Sequence, residues 1–300
     1  MMKLDGVTAF VAAVEEGSIS GAARRLGVSK SVASDRLAEL ERALGAALLQ
    51  RTTRKLSVTT DGVAFLERAR RIVHEATEAV AELSVRRGTL SGPLRLSAPV
   101  SFGTLHLGPA LYPFLREHPR IELTLELGDH FVDVAADGFD AVIRHADVRD
   151  RHLVAKRLAS SRRLLVAAPS YLARHGTPRT VEELATHAAI LYTGREADWR
   201  FTDRGKVSVV RPARALRVNN GLLMRDAAVA GLGITLLPTF MSHPERVRGS
   251  LEVVALDAAA DAAEVHLLHS REQGNSAKLQ ALAAHLRDAF GDPPYWDPAP

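Results

Sequence analysis

Cysteine is absent from the chain, which excludes disulfides, thiolate metal sites and cysteine nucleophiles. No uninterrupted apolar run approaches the roughly 20 residues that a membrane-spanning helix requires. The opening Met1-Met2-Lys3-Leu4-Asp5-Gly6 carries an acid early and no small-residue cleavage site, unlike a secretory signal. A soluble, cytoplasmic protein is expected. Signatures of common catalysts are missing too. There is no His-Glu-x-x-His, no Gly-x-Ser-x-Gly elbow and no Gly-Lys-Ser/Thr phosphate loop. Gly231-Leu232-Gly233 lacks the third glycine of a dinucleotide loop and precedes a predicted strand instead of following one. His266 and His269 fall on opposite faces of another predicted strand, a poor arrangement for a shared metal. No catalytic set, metal or cofactor is predicted.

What is present begins with an uneven charge. The 300 residues suggest about two domains, and 46% apolar residues allow a sizeable core. Between Arg24 and Lys55, eight basic residues stand against three acidic ones. That surplus of five exceeds the +4 of the whole chain, so the remainder is slightly acidic. Positive charge gathered on one small module is the footprint of phosphate binding.

The same stretch reads as a helix-turn-helix. Ala22, Ala23 and Leu26 give a short helix a narrow apolar stripe, and Gly27 can take the left-handed conformation that ends it. Ser29 is a good N-cap for a second helix. On that helix Ala33, Leu37, Leu40 and Leu44 share one face and are predicted to be buried. Lys30, Ser31, Ser34, Asp35 and Ala38 face away, a small polar surface that fits a major groove. Residues 51–59, Arg51-Thr52-Thr53-Arg54-Lys55-Leu56-Ser57-Val58-Thr59, alternate like a short hairpin with a basic, hydroxyl-rich tip, a wing for the backbone or minor groove.

These residues carry a resemblance to the LysR-type transcriptional regulators, in the subgroup with an Arg-Thr-Thr-Arg wing. Ala22-Ala23, Leu26, Ser29, Ser34, Leu37, Leu40-Glu41, Leu44-Gly45, Leu48-Leu49, Arg51-Thr52-Thr53-Arg54 and Thr60-Asp61-Gly62 match in type and spacing. The resemblance extends over nearly the full chain. It departs at Leu49, where phenylalanine is common, at Val32-Ala33, which reverses the usual order, and at Asp35, where a basic or amide residue is usual. Asp35 either accepts a hydrogen bond from cytosine N4 or orients Arg36 or Lys30. The resemblance implies a DNA-binding set of Ser18, Ser20, Lys30, Ser31, Ser34, Asp35, Arg36, Arg51, Thr52, Thr53, Arg54 and Lys55. Its implied partners are double-stranded DNA, a small-molecule effector, further copies of the chain as a homodimer or tetramer, and RNA polymerase.

The fold expected is α/β: an N-terminal all-α winged helix-turn-helix over residues 1–60, a long linker helix and hinge over 61–88, and an effector-binding domain over 89–300. A first helix is read at 4–16, with Phe10, Val11 and Val14 inward. Residues 60–87 form one long helix. In it Phe65, Ala69, Ile72, Ala76, Ala79 and Leu83 make a heptad seam for a second copy. Packing on its own domain is the alternative. Arg86, Arg87, Gly88, Gly92 and Pro93 mark the hinge.

Beyond it strands and helices alternate, which predicts parallel sheets. Among the helices read there are 132–136 and 181–185. The resemblance implies two lobes like those of a periplasmic binding protein, with crossovers near Ser160-Ser161 and near residues 238–241.

A ligand in such a fold sits beyond the carboxyl ends of strands. Four strand ends carry suitable groups: Pro99-Val100-Ser101-Phe102, Arg144-His145, Tyr192-Thr193 and Asn219-Asn220-Gly221. Ser101, Asn219 and Asn220 serve equally well as helix caps, and Arg144 as half of a surface ion pair. A pocket using Ser101 and Arg144 points to a small organic anion. The leading reading is a ligand-responsive, sequence-specific regulator that couples lobe movement to the spacing of its DNA-binding heads. An α/β enzyme carrying a DNA-binding module and a solute-binding protein are the competing classes. The first lacks an acid, base or nucleophile set, and the second lacks an export signal.

Overall fold

The computed structural model describes residues 2–51, 56–85, 89–130, 132–134, 137–145, 153–193, 199–203, 206–260 and 263–297. The chain divides into two compact units, with the boundary at Gly92/Pro93.

The first unit is the head. Helices α1 (Leu4–Glu15), α2 (Ile19–Arg25) and α3 (Lys30–Leu44) are followed by strands β1 (Leu49–Arg51) and β2 (Leu56–Val58) and by α4 (Thr60–Val85). Local chemistry sets each boundary. Ser18 Oγ caps α2 by accepting from Gly21 N at 2.9 Å, and Ser29 Oγ caps α3 by accepting from Val32 N at 3.3 Å. Gly27 and Gly45 end these two helices with φ of +64° and +68°. Phe10, Ala22, Ala33, Leu37 and Leu40 fill the core between them. Leu44 is instead 38% exposed, because α3 ends there and the chain turns away before its side chain can be covered. The wing strands pair antiparallel, Arg51 opposite Leu56. Thr52, Thr53, Arg54 and Lys55 at the wing tip lie outside the described residues, as does the side chain of Arg51.

Helix α4 divides the expected seam. Ala69 is fully buried in the head core, and Phe65 packs on Phe10 with ring centroids 5.8 Å apart. Those two positions serve the head itself, since α4 lies against α1 over its first turns. Ile72 is 36% exposed and Ala79 is exposed farther along. The side chain of Leu83 and the hinge residues Arg86, Arg87 and Gly88 lie outside the described residues.

The second unit has two lobes. In the first lobe β3 (Gly92–Ala98) leads into α5 (Val100–Phe102), a π-helical stretch Gly103–Leu107 and α6 (Gly108–Glu117). Strands β4 (Ile121–Leu127), β5 (Ala141–His145) and β6 (Leu153–Ser161) follow. Residues 132–134, inside the helix expected at 132–136, are not helical; Phe131 and the two alanines after residue 134 lie outside the described residues.

The chain then crosses into the second lobe at Arg162, where one was expected. There it forms β7 (Arg163–Ala167), α7 (Pro169–His175), a 3-10 turn Glu183–Thr186 and β8 (Ala188–Tyr192). Next come β9 (Trp199–Asp203), β10 (Lys206–Val210), β11 (Ala213–Val218), α8 (Gly221–Val229), β12 (Ile234–Pro238), α9 (Thr239–Val247), β13 (Glu252–Val253) and β14 (Ala259–Ala260). Strand β15 (Ala263–Ser270), a 3-10 turn Glu272–Asn275 and α10 (Ala277–Phe290) return to the first lobe.

Two expectations are corrected here. The return crossover lies between Ala260 and Ala263, not near residues 238–241. Pro238 ends β12 only to start α9, and that helix stays packed on β7, β12 and α8. The sheets are also mixed. The first has order β4-β3-β5-β15-β6 and the second β11-β8-β12-β7-β13. Strand β15 runs antiparallel to β5 and β6, and β12 antiparallel to β7. Leu165 and Ala167 bury on one face of the second sheet and Val166 on the other, so its middle strands read as unbroken apolar runs.

Candidate functional site

In the head, the buried stripe of α3 turns the opposite face outward. Lys30, Ser31, Val32 and Asp35 are all exposed on its first turns. The Ser31 and Ser29 hydroxyls hold each other at 2.8 Å. Ser34 is half-buried. Asp35 makes no hydrogen bond or ion pair among the described residues, so it orients neither Lys30 nor Arg36. Arg36 sits on the flank of α3 and pairs with Asp5 at 2.9 Å, which turns it toward α1 and away from the outer face. Arg25 is likewise engaged, by Glu15 at 2.6 Å, whereas Lys30 has no acidic partner among the described residues. Val32 escaped the sequence reading. It is 40% exposed, an aliphatic group on a face read as wholly polar.

The wing is rooted from α3. Glu41 Oε1 accepts from Leu48 N at 2.8 Å and from Leu49 N at 3.1 Å, fixing the chain as it enters β1. Thr59 Oγ1 donates to Ala47 O and accepts from Gly62 N, tying the end of β2 to the start of α4. A Cβ on Gly62 would stand 2.2 Å from Leu48 O, so no other residue fits there without backbone movement.

In the second unit the strand ends from both lobes meet. Ser101 is 4% exposed, and its Oγ stands 3.1 Å from where a Cβ on Gly221 would be, with Met241 Sδ alongside. The first turn of α5 therefore abuts the first residue of α8. Pro99, not Ser101, is the N-cap of α5, so Ser101 is no helix cap. Asn220 is one: its Oδ1 accepts from Leu223 N at 3.0 Å. Asn219 and Thr193 are exposed, and Thr193 N donates to Val218 O at 2.9 Å. Phe102 is removed from the effector set, because it is buried against Phe240, Phe290 and Trp296. His145 packs edge-on to Phe240, joining the lobes.

Arg144 is half-buried and makes no ion pair among the described residues. Its guanidinium donates to Ser97 Oγ at 3.3 Å and to Ile143 O at 2.8 Å. Burial pulls its pKa down from the ordinary value, and the charge of Asp129 works against that shift. Tyr192 is held above its ordinary value by burial and then by the same Asp129, so it stays a neutral hydroxyl. Asp129 had no signal in the sequence. It follows β4, and only the fold brings it to Val100, whose N–H donates to Asp129 Oδ1 at 3.1 Å. Among the described residues there is no cluster of metal-ligand type, and no helix is long and apolar enough to cross a membrane.

Comparison with known proteins bears on both sites. Residues 4–63 match the family described as bacterial regulatory helix-turn-helix protein, lysR family. Residues 87–291 match the LysR substrate binding domain. The chain is 30% identical over 290 residues to the probable HTH-type transcriptional regulator LtrA of Klebsiella pneumoniae, covering 95% of this chain and 94% of that one. Among solved structures it resembles CrgA, a LysR-type transcriptional regulator from Neisseria meningitidis. That match has 28% identity and a TM-score of 0.62, over 95% and 98% of the two chains. It also resembles full-length AphB, the Vibrio cholerae virulence activator, at 26% identity and a TM-score of 0.61, over 95% and 98%. With a capped helix-turn-helix in its first unit and two lobes in its second, the chain belongs to the LysR family of transcriptional regulators, not to a family of enzymes.

Proposed function

We propose that this regulator binds duplex DNA as an oligomer through the outer face of α3 and the wing, and that a small molecule in the interlobe cleft governs that binding. The observation that carries the first half is the division of α3. Ala33, Leu37 and Leu40 are buried, while Lys30, Ser31, Val32 and Asp35 are exposed on the other side at a capped helix start. A helix presented in this way lays its N-terminal residues against base edges. Ser18 and Ser20 open α2, where free N–H groups attract phosphate. Ser34 joins the set at its edge, and the wing residues Arg51, Thr52, Thr53, Arg54 and Lys55 reach the backbone alongside.

In the cleft, Val100, Ser101, Arg144, Tyr192 and Gly221 are the groups that contact the effector, with a carboxylate of the ligand on Arg144. A second copy associates through the exposed part of α4, which supplies two recognition helices for a two-fold operator. Contact with RNA polymerase from the promoter-bound oligomer belongs to the same reading, as does a cytoplasmic location.

Salt-dependent binding of the full-length protein to its own genomic target tests the DNA half. Replacing Arg51 or Arg54 by alanine is expected to lower affinity on every duplex and to reduce the salt slope by about one unit each. An unchanged slope in both variants refutes the wing assignment. Mapping bound DNA across the genome supplies the target.

A further inference from the structure

The cleft holds two opposite charges that do not meet. Asp129 is exposed at the mouth of the first lobe. One of its oxygens caps Val100 N at 3.1 Å, and the other has no partner among the described residues. Arg144 is half-buried on the end of β5, held in place by Ser97 Oγ and Ile143 O, and has no carboxylate against it among the described residues. Each lies within the other's field, yet no ion pair joins them. Asp129 also acts on the neutral hydroxyl of Tyr192, at the end of β8 in the second lobe, and next to Val100 on α5 stands the Ser101 hydroxyl. The latter is 4% exposed and makes no hydrogen bond among the described residues.

A hydroxyl with no protein partner can both donate to and accept from a ligand. Two opposite charges held apart are satisfied together by a ligand that carries both signs. An anion alone would satisfy Arg144 while facing the Asp129 carboxylate, and the Val100 N–H that would otherwise receive it is already taken.

We propose that the effector is a small zwitterion, with its carboxylate on Arg144, its ammonium group on the unused oxygen of Asp129, and the Ser101 hydroxyl bonded to one of its polar atoms. This rests on the interlobe cleft being the effector site, and it narrows the ligand class from a small organic anion to a molecule of the α-amino-acid type.

Isothermal titration of the full-length protein tests it. The probes are the common L-α-amino acids, the 2-hydroxy acids with the same side chains, and the corresponding decarboxylated amines. At least one amino acid is expected to bind, with its hydroxy-acid and amine counterparts weaker by at least about tenfold each, since a site built for a charged group rejects the analogue lacking it. Asp129→Asn keeps an acceptor for Val100 N–H. It is expected to weaken the amino acid by about tenfold and to narrow its advantage over the hydroxy acid. A hydroxy acid that binds as tightly as its amino acid overturns the proposal. So does full amino-acid affinity in Asp129→Asn, or no binding by any amino acid. Arg144→Gln separates this failure from failure of the cleft itself. If Arg144→Gln abolishes binding while Asp129→Asn does not, the cleft stands and the zwitterion falls. If neither variant changes the affinity of a bound ligand, the cleft assignment falls. Unchanged unfolding midpoints and far-UV circular dichroism show that both variants are folded.

Discussion

Gly62 is a single hydrogen where the smallest side chain would collide with backbone. A Cβ there would sit 2.2 Å from Leu48 O and 2.7 Å from Val58 Cγ1, and neither atom can swing away as a flexible side-chain tip could. Gly62→Ala is therefore expected to destabilise the head by about 1–3 kcal/mol, read as a lower denaturation midpoint and weakened DNA binding. Val32 makes a different kind of statement at the same scale. Its exposed methyl groups sit on the face proposed to enter the groove, where the complementary feature is the C5-methyl of thymine. Val32→Ala is expected to lower affinity for the target by about fivefold to thirtyfold, roughly 1–2 kcal/mol. Replacing the contacted thymine by deoxyuridine should cost the wild type a similar amount and the variant nothing further. Equal losses in both proteins would show that Val32 touches no thymine.

At the scale of elements, the C-terminal segment after α10 does more than end the chain. Trp296 is fully buried among Phe102, His106 and Phe290. Asp297 holds Arg162, the residue at the crossing from β6 to β7. Tyr295 O–H donates to His106 Nδ1 at 2.6 Å, and His106 Nε2–H donates to Phe240 O on α9 at 3.0 Å. Because a carbonyl can only accept, His106 is fixed as the neutral Nε2–H tautomer.

Burial pushes its pKa down to about 4, outweighing the bond to Phe240. The sign follows. Between about pH 6.5 and 4 the unfolded chain binds a proton that the folded chain refuses, so stability rises with pH across that window and is lost on acidification. The loss is on the order of 3 kcal/mol by pH 4. His187 and His269, whose values burial also lowers, act in the same direction. Urea midpoints taken at intervals from pH 7.5 to 4 measure it, and His106→Gln is expected to flatten part of the slope. A flat wild-type profile would contradict the buried neutral tautomer.

At the scale of the whole molecule, the proposed association through α4 narrows to part of that helix. Phe65 and Ala69 are spent on the head core, which leaves Ile72, Ala76 and Ala79 as the stretch available to a partner. Ile72→Glu is expected to shift the oligomer toward monomer in sedimentation velocity and to weaken binding to a two-fold target at least about tenfold, while the isolated head stays folded. Assembly and DNA binding both unchanged by Ile72→Glu would move the interface off this face.

The sequence by itself determined the local features of this regulator. Ser18, Ser29, Gly27 and Gly45 act on neighbours within four residues, so caps, turns and the buried stripe of α3 were legible without a fold. Leu44 misled because periodicity records which face a residue occupies and not whether anything arrives to cover it. The heptad on α4 left two uses open, since one apolar stripe serves a partner or the helix's own domain equally well, and Phe65 and Ala69 pack in the head core.

Only the tertiary structure decided the rest: that α9 stays in the second lobe, that β15 returns antiparallel, that Arg36 is held by Asp5, and that Asp129 reaches Val100. Strand direction and long-range charge placement depend on contacts between residues far apart in the chain. Such contacts leave no period or spacing in the local pattern of residues.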